Sequence, residues 1–137
     1  MPEKISPDLQ ACILCEEVRQ EINGNFFLIG ILGAITVPTL PVTALKLCLF
    51  TRWCCGLGTF KHQYRILLPD NTSVIASSQG EFRLGSVEEH VTQVTLFTNI
   101  QFQQAGTHWV EVFLDEALLL RFPLPIRVIP LSAPTTS

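Results

Sequence analysis

The chain has 137 residues, of which 47% are hydrophobic and 15% are charged, and its formal net charge is −3. This length suits one domain with a substantial core. Because the net charge is negative and the arginines are scattered along the sequence, we expect no basic surface that could neutralise phosphates and therefore no nucleic-acid partner.

The two ends of the chain differ in composition from its middle. Residues 1–8 include the polar side chains of Glu3, Lys4, Ser6 and Asp8, and residues 131–137 are rich in Pro, Ser and Thr. We therefore expect a flexible amino terminus at 1–8, a single domain at 9–130 and a disordered tail at 131–137. The first residues carry no secretory signal, so the expected location is the cytoplasm.

Turn signals follow one another along the chain. Asn23 and Gly24 supply the two positive φ angles of a type I′ turn and predict a β-hairpin. Residues 69–71 predict a second hairpin, because Asp and Asn tolerate the left-handed region and bond their own backbone. Further reversals are predicted at residues 104–107 and 115–116.

The segments between the turns have the pattern of strands. Apolar residues at Leu45, Leu47 and Leu49 alternate with their neighbours, and a period of two is typical of a strand. The run 26–37 is apolar on both faces, which predicts a central strand covered on each side. It contains glycines and meets Pro38, whereas a membrane helix needs about 20 apolar residues, so we expect no membrane insertion.

Counting the runs gives the fold class. Strands are predicted at residues 9–20, 25–37, 44–54, 60–68, 72–79, 89–103, 107–114 and 117–129. Short, closely spaced strands with tight turns predict an all-β fold, an antiparallel β-sandwich of about eight strands that is immunoglobulin-like or a partly closed barrel.

The side chains that carry chemistry form no constellation. Cys12 and Cys15 have the spacing of a zinc knuckle, but residues three apart in a strand point to opposite faces, so core packing is predicted. The odd number of cysteines indicates a reducing compartment. His62, His90 and His108 fall on separate predicted strands, and no nucleophile, base and orienting group can be named together. We predict no enzyme activity, no metal and no cofactor.

Four segments carry a resemblance to a known family. Residues 11–19 read ACILCEEVR and residues 23–31 read NGNFFLIGI, and the carboxyl half adds AGTHWVEV at 105–112 and RFPLPI at 121–126. Over roughly residues 10 to 129 the chain resembles a family of uncharacterised bacterial single-domain proteins that carry a domain of unknown function. These motifs are structural, and the resemblance implies an immunoglobulin-like β-sandwich pattern without catalytic residues.

The hydrophobic fraction is high for a small domain, which predicts that some apolar surface is exposed. We therefore expect a non-enzymatic cytoplasmic β-sandwich that acts through protein contacts, either with a protein partner or by self-association. One predicted surface is the turn at residues 53–58, where Trp53 and Leu57 would anchor a partner as apolar residues do in interface cores. A second is an unpaired strand edge that extends the sheet of another chain. The alternative is a small-ligand or carbohydrate-binding sandwich with Trp53 or Trp109 as a stacking platform.

Overall fold

Nine β-strands make up the part of the chain that the computed structural model describes, residues 4–130. The predicted tail at 131–137 and residues 1–3 lie outside the described residues. No helix within 4–130 has the length and apolar character that crossing a membrane requires. The strands are β1 Asp8–Gln20, β2 Phe26–Ile31, β3 Ile35–Val37, β4 Val42–Cys54, β5 Gly58–Leu67, β6 Val74–Leu84, β7 His90–Phe102, β8 Gly106–Leu114 and β9 Ala117–Val128.

The strands form two sheets, which confirms the predicted all-β sandwich. The four-stranded sheet has the order β2-β1-β4-β7, and the five-stranded sheet has the order β3-β9-β8-β5-β6. Neighbouring strands are antiparallel except β3, which runs parallel to β9. The described strands number nine rather than about eight because the strand predicted at 25–37 is divided.

Alternate side chains of each strand fill the space between the sheets. Leu47, Leu49 and Trp53 of β4 point inward and are at most 3% exposed. Phe60 and Tyr64 of β5 meet them from the other sheet. Each fully buried large apolar side chain stabilises the fold by about 1.5–3 kcal/mol, so the period of two in the sequence is what assembles the core.

A buried hydrogen-bond network crosses this core. Tyr64 of β5 donates its phenolic proton to Gln93 Oε1 of β7 at 2.7 Å. The Tyr64 hydroxyl oxygen accepts a hydrogen bond from Trp53 Nε1 at 3.2 Å and lies 3.0 Å from Thr51 Oγ1, and both residues belong to β4. Because Tyr64 belongs to the five-stranded sheet and its three partners to the four-stranded sheet, one hydroxyl group joins the two layers.

The prediction of one central strand at 25–37 is wrong. The chain pairs with β1 as far as Ile31, bends, and then joins β9 of the other sheet through Ile35 opposite Ile126. The bend lies at residues 32–34, between β2 and β3. Within β2, Gly30 has a φ of +69°, and a Cβ there would lie 2.7 Å from the Glu16 side chain, so this position favours glycine. β2 lies at the end of its sheet rather than in the middle.

The first predicted hairpin is present, but its turn type differs from the prediction. Gly24 has a positive φ of 92°, whereas Asn23 does not, and the Gly24 amide donates to the Glu21 carbonyl at 2.9 Å. This geometry is a three-residue connection with glycine in the left-handed position. The two-residue turn with both φ angles positive occurs at residues 115–116 instead, with values of 46° and 70°.

Replacing Tyr64 with Phe tests the network. The change leaves the buried Trp53 Nε1 without its acceptor, so we expect the free energy of unfolding to fall by about 1–3 kcal/mol, measured by urea denaturation. Gln93→Leu removes a second member of the network, and the double variant should lose less than the sum of the two single losses. Additive losses would contradict a shared network.

Candidate functional site

Trp53 does not lie on the surface. Its ring is 0% exposed, stacks on Phe82 with centroids 5.1 Å apart, and donates its indole proton to Tyr64. A ring with no exposed area has nothing to offer a partner, so the geometry gives no support to Trp53 as an anchor. The inward direction follows from the alternation of β4, in which Trp53 shares a face with Leu49.

The rest of the turn at residues 53–58 is covered by the amino-terminal segment of the same chain. Ile5 and Leu57 exchange two backbone hydrogen bonds of 2.9 Å each. Pro7 packs so closely on Gly56 that a Cβ there would lie 2.7 Å from the Pro7 Cβ. Ile5 and Pro7 of the amino-terminal segment thus contact this turn, and Leu57 is half-buried with its backbone amide and carbonyl bonded to Ile5.

Trp109, the other predicted stacking platform, lies half-buried on the outer face of the five-stranded sheet. The Arg121 guanidinium carbon is 4.3 Å from its ring centroid and covers one side of the ring. Next to it Arg65 pairs with Glu111 at 2.7 Å. Cross-strand contacts of this kind stabilise a sheet, and here they occupy one ring face that a ligand would need.

The largest departure from the predicted burial is β2. Phe27, Ile29 and Ile31 alternate along one face of the strand and are 41%, 36% and 64% exposed. The strand sequence, FFLIGI, carries no charge and no proline. Apolar residues on both faces led to the prediction of a covered strand, whereas β2 has a hydrogen-bonded neighbour on one side only among the described residues, namely β1.

The hairpin that carries β2 is held in place by the domain. Phe26 packs edge-on against Phe50 of β4 with centroids 5.8 Å apart. The Cys48 thiol lies 3.5 Å from the Glu16 carbonyl oxygen, where β1 leaves β4 and continues as the hairpin. These two contacts fix the hairpin, so the free edge of β2 is already ordered. An ordered edge loses less conformational entropy when a partner binds.

The other terminal strands carry features that protect an edge. β3 has only three residues, and β6 carries Glu81 and Arg83 among its exposed side chains. β7 runs beside β6 of the opposite sheet. Short length, charge and coverage are the usual means by which proteins prevent strand edges from pairing. Of the terminal strands in the described part of the chain, β2 has the apolar sequence and none of this charge or cover.

Two of the three histidines, His62 and His108, are buried, and His62 also borders a cavity of about 490 Å³ that is lined by Lys61, Glu81 and Glu116 among others. Burial lowers the pKa of His62 and of His108 and raises the pKa of Cys12 to about 12. His62 lies in the core, stacked on Tyr64 with centroids 4.7 Å apart. Within residues 4–130 no group of three or more His, Cys, Asp or Glu side chains is arranged to hold a metal ion.

Comparison with known proteins identifies the family. The chain belongs to DUF6941, a family of unknown function, whose model matches residues 10–127. The resemblance seen in the sequence is thereby confirmed as family membership. No curated protein matches the chain.

The buried histidines predict a loss of stability in acid. Because burial lowers the pKa of His62 and of His108 in the folded protein, the unfolded chain takes up protons first on acidification. The stability gained by keeping these histidines neutral is complete above the unfolded pKa of 6.5. It is lost as the pH falls toward the lower pKa values of the two side chains in the folded protein. We expect the free energy of unfolding, measured by urea denaturation, to fall as the pH is lowered below about 6.5.

Variants identify the source of this slope. His62→Phe, which keeps an aromatic ring against Tyr64, should make the pH dependence shallower. His90→Gln is the matched control, because His90 is exposed, and it should leave the slope unchanged. An unchanged slope in His62→Phe would rule His62 out as a source.

Thiol labelling tests the placement of the cysteines. Burial raises the pKa of Cys12, Cys15 and Cys54, whereas Cys55 is exposed in the turn with a φ of 62°. We expect one fast-reacting thiol in the native protein, because the thiolate is the reactive form. Cys55→Ser should abolish the fast phase and Cys54→Ser should preserve it; a fast phase that survives Cys55→Ser would contradict this placement.

Proposed function

We propose that this member of a family of unknown function is a non-enzymatic protein-interaction or assembly module that pairs the free edge of β2 with a strand of another polypeptide. The observation that carries the proposal is an uncharged terminal strand with three large apolar side chains at least 36% exposed on one face. Backbone groups at such an edge add a strand, and the alternate side chains select it.

Two properties of β2 support a role in binding rather than incidental exposure. The hairpin is anchored through Phe26 and Phe50, so its edge is available without reorganisation. The same sequence at an unprotected edge favours unwanted association, and the neighbouring edges carry the protections that β2 lacks. A specific partner strand would pair with this edge and cover its exposed apolar side chains.

The non-enzymatic part of the proposal is supported by the location of the reactive side chains. His62 and His108 are both buried against aromatic rings. The ring centroid of His62 lies 4.7 Å from that of Tyr64, and the ring centroid of His108 lies 5.2 Å from that of Phe102. The buried Thr51 hydroxyl is engaged with Tyr64 in the core. Nucleophilic or acid–base catalysis requires such groups to meet at a site that substrate reaches.

A cytoplasmic location belongs to the same proposal. All five cysteines are free, including Cys15 and Cys48, which face each other on β1 and β4. An odd number of cysteines without a disulfide framework favours a reducing compartment. The alternative function, small-ligand binding, needs an exposed tryptophan ring. Trp53 is fully buried and Arg121 covers one face of the Trp109 ring, so no observation favours this alternative over pairing at the strand edge.

A tagged pull-down from native cytosol, read by mass spectrometry, tests the function. Ile29→Lys places a charge at the centre of the edge, and Leu45→Lys places the same charge at a position on β4 that is 74% exposed and away from the edge. We expect a bound protein, or untagged copies of the chain, to be recovered with the wild type and with Leu45→Lys.

Recovery should fall at least about tenfold with Ile29→Lys, because a buried unpaired charge costs several kcal/mol at an interface. Circular dichroism and urea denaturation of both variants check that each keeps its fold. Equal recovery with the two variants would show that binding does not use the β2 edge and would refute the proposal.

A further inference from the structure

We propose that a second binding surface takes an extended peptide segment, which pairs with the free edge of β1 at residues 8–13 and inserts apolar side chains between the two sheets. The surface is a groove of about 470 Å³, lined by residues from the start of β1 and the start of β9. The groove is separate from β2, so this inference goes beyond the proposed function and is tested independently of it.

The groove exists because one side of the sandwich is closed along only part of its length. β2 covers the outer edge of β1 at residues 15–20, and β3 covers the outer edge of β9 at residues 126–128. Between them the chain crosses from one sheet to the other at residues 32–34. Within the described part of the chain, no strand lies beyond residues 8–13 of β1 or beyond residues 117–125 of β9.

The inward-facing side chains of β1 and β9 show where cover is missing. Near the crossing segment, Leu14 of β1 and Ile126 of β9 are at most 2% exposed. Further along the same two strands, Cys12 and Leu120 also pack against the core but are only half-buried, and both line the groove. Apolar side chains that remain partly exposed favour a ligand that removes them from water.

The backbone of β1 favours a peptide over an aliphatic ligand. The Leu32 amide donates to the Leu14 carbonyl at 2.9 Å, so this carbonyl points away from β4 and toward the open side. Because backbone directions repeat at every second residue of a strand, the amide and carbonyl of Cys12 point the same way. An extended peptide would pair with these groups, whereas a hydrocarbon chain would bury them without partners.

The edge of β9 on the other side of the groove is poorly suited to pairing. Pro123 and Pro125 have no backbone N–H and interrupt the row of donors along this strand. The side chain of Leu119, which is 47% exposed, lines the groove from this side. The peptide should therefore pair with β1 and only pack against β9.

The lining residues determine what the peptide should contain. Leu9, Cys12 and Leu120 are apolar, so the peptide positions that point between the sheets, which are every second residue, should be Val, Ile or Leu. Asp8 is exposed and also lines the groove. A Lys or Arg is therefore expected at the end of the peptide beside Asp8.

A random heptapeptide library displayed on phage, selected on the wild-type protein, tests this inference. The enriched peptide is synthesised with a fluorophore, and its affinity is measured by fluorescence anisotropy. We expect apolar residues at alternate positions and one basic end. The dissociation constant should lie in the micromolar range, because so short a segment buries less surface than a stable protein interface.

Two neighbouring residues of β9 supply a test variant and its matched control. Leu119→Arg places a charge in the groove, and Leu118→Arg places the same charge at a residue that is 49% exposed and does not line the groove. We expect Leu119→Arg to weaken peptide binding at least about tenfold, because the charge would be buried without a partner, and Leu118→Arg to leave it unchanged. Circular dichroism and urea denaturation check that both variants fold.

Amide hydrogen exchange, followed by NMR, locates the peptide. When the synthesised peptide saturates the protein, exchange at the Cys12 amide should slow at least about tenfold, because this group gains a hydrogen-bond acceptor. The Ile13 amide is the control. It points toward β4 by the same alternation, so its exchange should not respond directly to the peptide.

Three results would overturn the inference: no enrichment of alternating apolar peptides, equal peptide binding by Leu119→Arg and Leu118→Arg, or an unprotected Cys12 amide in the complex. Dodecanoate serves as an aliphatic probe. If it binds the wild type, loses binding in Leu119→Arg and no peptide is selected, the groove takes a hydrocarbon chain and the peptide is ruled out. None of these results decides the role of β2, which the pull-down with Ile29→Lys tests.

Discussion

The hydroxyl group of Tyr64 is the interaction on which the rest of the structure depends. It takes one hydrogen bond from Trp53, lies within hydrogen-bond distance of Thr51 and gives one hydrogen bond to Gln93, and in doing so it fixes how β5 faces β4 and β7. An apolar core of this size could pack in several registers, whereas a buried polar group has one arrangement that leaves no partner unpaired. The network therefore selects a single way of stacking the two sheets.

The same network decides which surface is left for binding. Because the Trp53 indole turns inward to reach Tyr64, its ring is absent from the surface of the turn after β4, and the amino-terminal segment packs on that turn through Ile5 and Pro7. At the opposite side of the four-stranded sheet β1 pairs with β4 over residues 8–15 and with β2 over residues 15–20. The hairpin thus extends the sheet beyond β4, and its outer strand has no further neighbour among the described residues.

Local sequence chemistry predicted most of the strands, because turns and alternation are encoded within a few residues. The predicted strands at 9–20 and 117–129 agree with β1 and β9 to within about two residues. Sheet order depends on contacts between distant segments, and a single sequence does not encode these locally. That is why the run 25–37 was assigned to the centre of a sheet, and why Trp53, an apparent surface anchor, has its partner 11 residues away on β5.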